Sequence, residues 1–109
     1  MDYTYKAYVV SVYDGDTITV DIDLGMDTWK KKVKLRLARI DTPEVRGEER
    51  ADGLVVRDYV RNTILDREVI IKTSKDKTGK YGRYISEVIL DDGMNLNDHL
   101  LELGMAKEY

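Results

Sequence analysis

The residues of this chain that could do chemistry are concentrated at positions 36–44, with the sequence RLARIDTPE. Asp41 and Glu44 supply carboxylates, and Arg36 supplies a guanidinium that stays protonated at any working pH. Carboxylate oxygens are ligands for hard cations, and arginine presents a planar pair of donors to phosphate oxygens. Two further stretches add similar groups, DGDT at 14–17 and KYGR at 80–83. The combination predicts a metal site that serves phosphodiester chemistry.

The DGDT stretch has two readings. Asp16 has the same parity as Ile18 and Val20 in an alternating strand, so its carboxylate should lean towards the interior. A buried carboxylate needs a partner, which is either the hydrogen bonds of a hairpin turn or a cation. Taken alone, Asp14-Gly15-Asp16 fits a turn better than a metal site.

The DTPE stretch favours the cation. Pro43 pushes Thr42 out of the helical region, so the Thr42 carbonyl and the Asp41 side chain should be presented at the end of a strand. With Asp16, these groups match the carboxylate and carbonyl oxygens that Ca²⁺ takes together with water. So few carboxylates indicate one ion rather than a two-metal site.

Strand alternation does not by itself bring Arg36 to Asp41. The two residues have opposite parity, and in isolation Arg36 would be an ordinary solvated strand arginine. Their convergence on one phosphate requires a bend or bulge near Ile40.

A water nucleophile needs a base, and Glu44 is the better candidate. The single histidine, His99, lies on a predicted helix far along the chain, where a surface position is expected. One histidine also excludes the acid–base mechanism of those ribonucleases that use two histidines. The absence of cysteine excludes disulfides, thiolate metal sites and cysteine nucleophiles.

Length and composition predict a single domain over residues 1–109, with 42% hydrophobic residues for one core. The chain has no run of about 18 apolar residues, which a membrane-spanning helix would need. We therefore expect no membrane partner. The amino terminus has no secretory pattern, so the localisation stays open: cytoplasmic for the chain as given, secreted if a leader was removed.

The net charge of −3 argues against binding nucleic acid by bulk electrostatics, but the charges are segregated. Residues 14–27 hold five acids and no bases, and residues 29–39 hold six bases and no acids. An acidic pocket beside basic strands could bind a cation and a polyanion side by side. For residues 30–32, lysines that protect a strand edge are an equally good explanation.

The element pattern predicts a mainly β fold with helices, of the α+β class. Strands are expected at 5–13, 17–24, 33–40, 69–73 and 83–90, a helix at 50–65, and a short closing helix capped by Asn95 and ended by Gly104. Tyr8, Tyr13, Tyr59 and Tyr84 are expected to be core or strand-face residues rather than stacking platforms, because the chain has no phenylalanine and tyrosine must fill that role. Five strands with a helix between strands 3 and 4 and a short C-terminal helix predict a five-stranded OB-fold barrel.

Five motifs occur in order: DGDT at 14–17, an arginine at 36 followed by DTPE at 41–44, KYGR at 80–83, DGMNLN at 92–97 and LGMAK at 103–107. In this order they resemble the staphylococcal nuclease (thermonuclease) family over residues 8–107. The resemblance implies Ca²⁺-dependent hydrolysis of DNA and RNA, preferably single-stranded. Cleavage of the 5′ P–O bond would leave 3′-phosphorylated products, and the protein would act as a monomer.

The resemblance also implies three groups of site residues. The metal ligands would be Asp16, Asp41 and the Thr42 carbonyl, with Asp14 supporting them. The catalytic residues would be Arg36, Glu44 and Arg83. The residues that contact a terminal phosphate of bound nucleotide would be Lys80 and Tyr81.

Two departures from the family bear on substrate access, stability and base stacking. The loop at 45–50 is shorter, and the family's last helix is missing, so Tyr109 is expected to be a frayed residue rather than a stacking platform. The alternatives are an OB-fold module that binds nucleic acid or protein without cutting, and a Ca²⁺-stabilised structural domain. Retention of Arg36, Asp41, Glu44 and Arg83 favours the enzyme.

Overall fold

The structure is a computed structural model that describes residues 3–75 and 84–109. A 3-10 turn at Gly47–Glu49 precedes the first of two α-helices. The helices are α1 (Arg50–Ile64) and α2 (Leu96–Glu102). The strands are β1 (Tyr3–Asp14), β2 (Thr17–Asp23), β3 (Trp29–Leu37), β4 (Ile40–Asp41), β5 (Glu68–Lys75), β6 (Tyr84–Ile89) and β7 (Lys107–Glu108).

Five of the strands close into a barrel in the order β1-β2-β3-β6-β5, and β4 pairs with β7 in a separate two-stranded sheet. The predicted antiparallel meander of the first three strands is confirmed by the pairing of β1 with β2 and of β2 with β3. The parallel contact between β3 and β6, from Leu35 paired with Tyr84 to Leu37 paired with Ser86, closes the barrel. With α1 between the third and fourth barrel strands and α2 as a short second helix, the predicted α+β barrel of OB type is confirmed.

Alternation along the strands fills the barrel interior. In β2 the buried residues are Ile18, Val20 and Ile22, and the residues between them are half-buried. Helix α1 turns an apolar stripe that includes Val56 and Val60 towards this core, as its 3.6-residue spacing requires. In the parts of the chain that the structure describes, neither helix is long and apolar enough to cross a membrane.

The third predicted strand is interrupted where the site begins. We expected one strand over residues 33–40, whereas β3 ends at Leu37 and the chain turns at Ala38 and Arg39 before β4. Arg39 has a φ of 66°, in the left-handed region that a non-glycine residue seldom adopts. This is the distortion near Ile40 that strand parity demanded.

Distant side chains hold the turn in this conformation. The buried Asn97 of α2 donates from Nδ2 to the Ala38 carbonyl at 2.9 Å and accepts from the Val88 amide at 3.1 Å. The Arg39 guanidinium donates to Glu87 at 2.6 and 3.0 Å and to Asp98 at 2.7 Å. The left-handed turn is therefore stabilised by β6 and α2, not by its own sequence.

The Arg39 contact predicts a pH-dependent stability. Hydrogen bonds from Arg39 and then from Asn95 lower the pKa of Glu87. A lowered folded-state pKa stabilises the fold above the unfolded value, near 4.3, and the contribution is lost as the pH falls through the folded value. Glu87→Gln should therefore reduce the free energy of unfolding by about 1 kcal/mol at neutral pH, and by less in acid.

Urea unfolding of wild type and Glu87→Gln, followed from neutral pH to about pH 3, would test this. Glu102→Gln, which removes an exposed carboxylate of α2, is the matched control and should differ little from wild type at any pH. A stability difference for Glu87→Gln that stays constant into acid would contradict the role given to the Arg39 contact.

Candidate functional site

Arg36 is the centre of the cluster. Its Nη1 donates to the Ile40 carbonyl at 3.1 Å and to the Leu37 carbonyl at 3.3 Å, so the turn after β3 holds its own arginine. Its Nη2 lies 3.6 Å from Oδ2 of Asp16 and 3.5 Å from Oδ1 of Asp41. The turn thus brings Arg36 and Asp41 together despite their opposite parity in the sequence.

Asp16 is held on several sides and is only 6% exposed. Its Oδ2 accepts from the Thr42 amide at 3.1 Å, and its Oδ1 accepts from the Thr17 hydroxyl at 3.2 Å. Asp14 supports it from behind, because Asp14 Oδ1 accepts from the Asp16 amide at 3.1 Å. The predicted interior position of Asp16 is what the structure shows, and a carboxylate held in this way is preorganised.

Asp14 is also buried, and its ionisation is perturbed. Burial raises the pKa of Asp14 to about 7, and the side-chain contact with the Asp16 carboxylate and the repulsion by its charge raise it further, whereas the hydrogen bond from the Asp16 amide lowers it. A carboxyl group of this kind holds a proton for part of the time near neutral pH. The pair of aspartates therefore carries less negative charge than its composition suggests.

The loop that carries Glu44 packs closely against two glycines. A Cβ at Gly53 of α1 would overlap the Glu44 carbonyl oxygen and lie 2.9 Å from the Pro43 carbonyl oxygen. A Cβ at Gly15 would lie 2.8 Å from Cγ2 of Thr42. Both positions must be glycine for the loop to pack this closely, and the packing leaves the Glu44 side chain exposed to solvent.

Tyr109 is not the frayed residue that we expected. Its amide donates to the Arg39 carbonyl at 3.1 Å, continuing the pairing of β4 with β7. Its ring lies under the Arg36 guanidinium, with 4.7 Å between Cζ and the ring centroid. The ring is 84% exposed, whereas the Arg36 side chain that it contacts is only 16% exposed, and the cation–π contact restricts the guanidinium further.

An open cavity of about 770 Å³ joins these groups. Asp14, Asp16, Arg36, Asp41 and Glu44 line it; Thr42 does not, but its amide donates to Asp16, which does. Its remaining lining residues are Ser11, Tyr13, Thr17, Thr19, Lys34 and Arg46.

Sequence reasoning assigned no site role to any of those six remaining residues. Tyr13 was classed with the core or strand-face tyrosines, but it is 53% exposed at this cavity. Strand alternation places Lys34 on the face of Arg36, and the segregation of charge marks that strand as basic, but neither observation gave Lys34 a role in the site. Nothing in the sequence pattern singled out Tyr13.

Three predicted site residues, Lys80, Tyr81 and Arg83, lie outside the described residues. Within residues 3–75 and 84–109, no three acidic or histidine side chains converge at the spacing of metal ligands. The oxygen donors that do converge there are the carboxylates of Asp16 and Asp41, beside the backbone of Thr42.

His99 lies away from this cluster. It is half-buried, and its Nε2 is 2.6 Å from the Tyr59 hydroxyl, so it joins α2 to α1. We expected a residue on the surface of a helix without a catalytic role, and His99 does lie on α2, where it is partly exposed.

A smaller cavity of about 190 Å³ opens at the opposite end of β1 to β3, beside Tyr3 and Leu24, and is lined by different residues.

Comparison with known proteins identifies the family to which the chain belongs. A family profile described as "Staphylococcal nuclease homologue" matches residues 34–109, which include the turn, Arg36, Asp41 and Glu44. The chain belongs to the staphylococcal nuclease family. The family resemblance drawn from the motifs is therefore confirmed.

Several relatives in this family match almost the whole chain. An uncharacterized endonuclease of Escherichia coli is 34% identical over 101 residues, which are 93% of this chain and 59% of the relative. The thermonuclease of Staphylococcus hyicus is 31% identical over 109 residues, covering 97% of this chain and 59% of the relative. An endonuclease of Bacillus subtilis is 28% identical over 96% of this chain and 9% of its own length. The chain spans about three fifths of the length of the first two relatives.

Proposed function

We propose that this chain is a nuclease that hydrolyses phosphodiester bonds of DNA and RNA, preferably single-stranded, with one bound Ca²⁺ ion. Cleavage of the 5′ P–O bond would leave a 3′-phosphate and a 5′-hydroxyl. The observation that carries the proposal is the Arg36 guanidinium, held between Asp16 and Asp41 at the cavity that Glu44 also lines. Relatives named thermonuclease and endonuclease support it.

The donors at the cavity fit a hard cation. Asp16 Oδ2 and Asp41 Oδ1 both face one nitrogen of Arg36, and Thr42 is tied to Asp16 through its amide. The Thr42 hydroxyl is buried without a hydrogen-bond partner among the described residues, which marks a polar position with unused capacity. Asp16, Asp41 and the Thr42 carbonyl would hold Ca²⁺, with water and phosphate oxygens as its other ligands. Bound there, the ion supplies positive charge that polarises the phosphate.

Arg36 would bind the phosphate oxygens that gain charge during attack. Its Nη1 is held by two backbone carbonyls and the guanidinium lies against the Tyr109 ring, so the group is already fixed at the cavity before the phosphate binds. Arg83 is proposed as a second donor. The residue that follows it in sequence, Tyr84, pairs with Leu35, the neighbour of Arg36 in β3. Lys80 and Tyr81 are proposed to contact a terminal phosphate.

Glu44 would act as the base, because its carboxylate is exposed at the cavity. Water oxygen attacks phosphorus as Glu44 takes the water proton, and the bond from phosphorus to the 5′ oxygen breaks. The departing 5′ oxygen takes a proton from solvent, so charge and protons balance. Arg36 neutralises charge on the oxygens that stay with phosphorus.

The proposal predicts that Gly53→Ala disrupts activity through Glu44. The added methyl group would displace the Pro43–Glu44 backbone, and a shift of about 1 Å in a reacting group can cost about 10²-fold in rate. We expect about that loss in kcat/KM on single-stranded DNA. Overpacking should also lower the free energy of unfolding by about 1–3 kcal/mol, despite the better helix propensity of alanine.

Asn62→Ala, at an exposed position of the same helix, is the control for Gly53→Ala and should keep full activity. Activity would be assayed at a temperature where circular dichroism shows both variants folded. Wild-type kcat/KM in folded Gly53→Ala would refute the positioning of Glu44 by α1.

The function itself is tested by digestion of labelled single-stranded DNA and RNA with Ca²⁺, with other divalent ions and with a chelator. We expect Ca²⁺-dependent cleavage, and the products should be labelled by polynucleotide kinase at their 5′ ends because these are hydroxyls. No cleavage by the folded protein with any metal ion would refute the enzyme. Retained binding without cleavage would favour the OB-fold binding module.

Thermal unfolding gives a test of the metal site that needs no turnover. A ligand that binds only the folded state raises its stability, by about 2.7 kcal/mol at a hundredfold excess over the dissociation constant. Ca²⁺ with a nucleoside 3′,5′-bisphosphate should therefore raise the melting temperature of wild type. An unchanged transition at saturating concentrations would refute the site.

A further inference from the structure

A polar face of the barrel extends from Arg36 and is not used by the proposed chemistry. We call it the β1–β3 face and define it by Ser11, Tyr13, Thr17, Thr19 and Lys34, which line the same cavity. The strand pairing arranges it in two rows. Thr17 is paired with Arg36 in the first row, and Ser11, Thr19 and Lys34 form the second. Two residues along a strand separate the rows, a distance of roughly 7 Å.

Tyr13 lies between the two rows because of a β-bulge. The pairing of β1 with β2 passes from Val12 opposite Ile18 to Asp14 opposite Thr17, so Tyr13 is the extra residue. Bulges occur next to active sites, where they re-aim a side chain. Here the bulge keeps Asp14 buried while it leaves Tyr13 53% exposed beside the cavity. An exposed aromatic ring at such a position offers a flat apolar surface to a ligand.

Lys34 provides the charge of the second row. Within the described parts of the chain, Lys34 has no carboxylate at ion-pair distance, whereas Lys31 is paired with Asp21 and Arg39 with Glu87. It projects from the same face of β3 as Arg36, one row further from the carboxylates. An exposed ammonium in this position is available to an anion.

We infer that the β1–β3 face binds the nucleotide next to the cleaved phosphate of a single-stranded substrate. Tyr13 stacks on an unpaired base, and Lys34 contacts the phosphate that follows the one at Arg36. The inference rests on the proposed function, since it takes the phosphate at Arg36 as the site of cleavage. The row spacing is of the order of the separation between successive phosphates in an extended strand.

The face suits single strands rather than duplexes. A tyrosine ring can stack only on a base whose face is free, and the bases of a duplex cover one another. Stacking also tolerates any base, because every base has a π-face, so the face contributes affinity without sequence preference. Thr17, Thr19 and Ser11 add hydroxyls between the ring and the ammonium.

The test is binding of a fluorescent oligothymidylate by anisotropy, with a chelator present to prevent cleavage. Alanine substitution of a stacking residue weakens binding by about 5- to 150-fold, so Tyr13→Ala should lose affinity within that range. Tyr13→Phe should bind as wild type, because the ring is retained. Tyr8→Ala, which removes another exposed tyrosine of β1 that does not line the cavity, is the matched control.

Lys34→Ala should weaken binding and make the slope of log affinity against log salt less negative by about 0.7, the value for one contact to single-stranded phosphate. Lys72→Ala, an exposed lysine of β5 outside the cavity, removes the same charge and should leave the slope unchanged. On a DNA duplex, Tyr13→Ala should bind as wild type.

Equal binding by Tyr13→Ala and wild type would overturn the inference, and so would an equal loss in Tyr8→Ala. Cleavage is measured separately, by adding Ca²⁺ to the same proteins. Cleavage of single strands by wild type, without any effect of Tyr13→Ala on binding, would refute the stacking role alone. Absence of cleavage with Tyr13-dependent binding would refute the nuclease and leave the binding face.

Discussion

Arg36→Ala is expected to lower kcat/KM on single-stranded DNA by about 10²- to 10³-fold, the usual cost of removing one preorganised donor to a developing anion. The loss should be large because the guanidinium is held ready by the Ile40 and Leu37 carbonyls and by the Tyr109 ring. Arg36→Lys should recover little of this. A single ammonium cannot contact the carbonyls of the turn and a phosphate with the geometry of a planar fork.

The same substitution should change how the fold responds to Ca²⁺. Arg36→Ala leaves the carboxylate of Asp16, 6% exposed, without its nearby guanidinium, so the free energy of unfolding should fall by about 1–3 kcal/mol without the ion. Ca²⁺ should then raise the melting temperature of Arg36→Ala by more than that of wild type, because no cation of the protein balances the same carboxylates.

Arg57→Ala is the control for Arg36→Ala. Arg57 pairs with the exposed Asp58 on α1, outside the cavity, so its loss removes a guanidinium with little effect on activity or on the response to Ca²⁺. Steady-state kinetics and thermal unfolding of the three proteins give both readouts. More than a tenth of wild-type kcat/KM in folded Arg36→Ala would refute the phosphate-binding role.

Glu44→Gln is expected to lower kcat by about 10²- to 10⁴-fold, the range for removal of a general base, with a small change in KM. The amide keeps the shape of the side chain but cannot take a proton from water. Because Glu44 is exposed and its loop is held through backbone packing on Gly53, the melting temperature should stay close to that of wild type.

The rate that remains in Glu44→Gln gives a second readout. Hydroxide can attack without a base, so the residual rate should be proportional to the hydroxide concentration. It should therefore rise with pH more steeply than the wild-type rate does. Glu48→Gln, in the neighbouring 3-10 turn, is the matched control and should behave as wild type. A kcat for Glu44→Gln within threefold of wild type would show that another group activates the water.

Much of the fold could be predicted because its signals are local. The alternation of Ile18, Val20 and Ile22 marks β2 and its buried face, and the spacing of Val56 and Val60 marks α1. Asn95 caps α2 as expected, accepting from the Asp98 amide at 3.0 Å. The boundaries were less accurate, since β3 begins at Trp29, before the predicted residue 33.

The sequence predicted which groups form the site better than it predicted how they are arranged in space. Asp16, Asp41, Glu44 and Arg36 do line one cavity, but their assembly depends on a turn that alternation would not predict. Sequence reasoning missed Asn97, which holds that turn from α2, because a buried amide looks like any polar helix residue in the sequence.

The sequence by itself determined which groups are present and which segments carry them: Thr42 before Pro43, an interior Asp16, and Arg36 on the strand beside them. Only the tertiary structure decided that Arg36 meets Asp41, that Tyr109 covers the guanidinium and that Tyr13 projects from a bulge. The physical reason is the range of the interactions. Alternation and proline stereochemistry act between chain neighbours, whereas a left-handed Arg39 and a bulged Tyr13 persist because residues far along the chain, or on a paired strand, stabilise them.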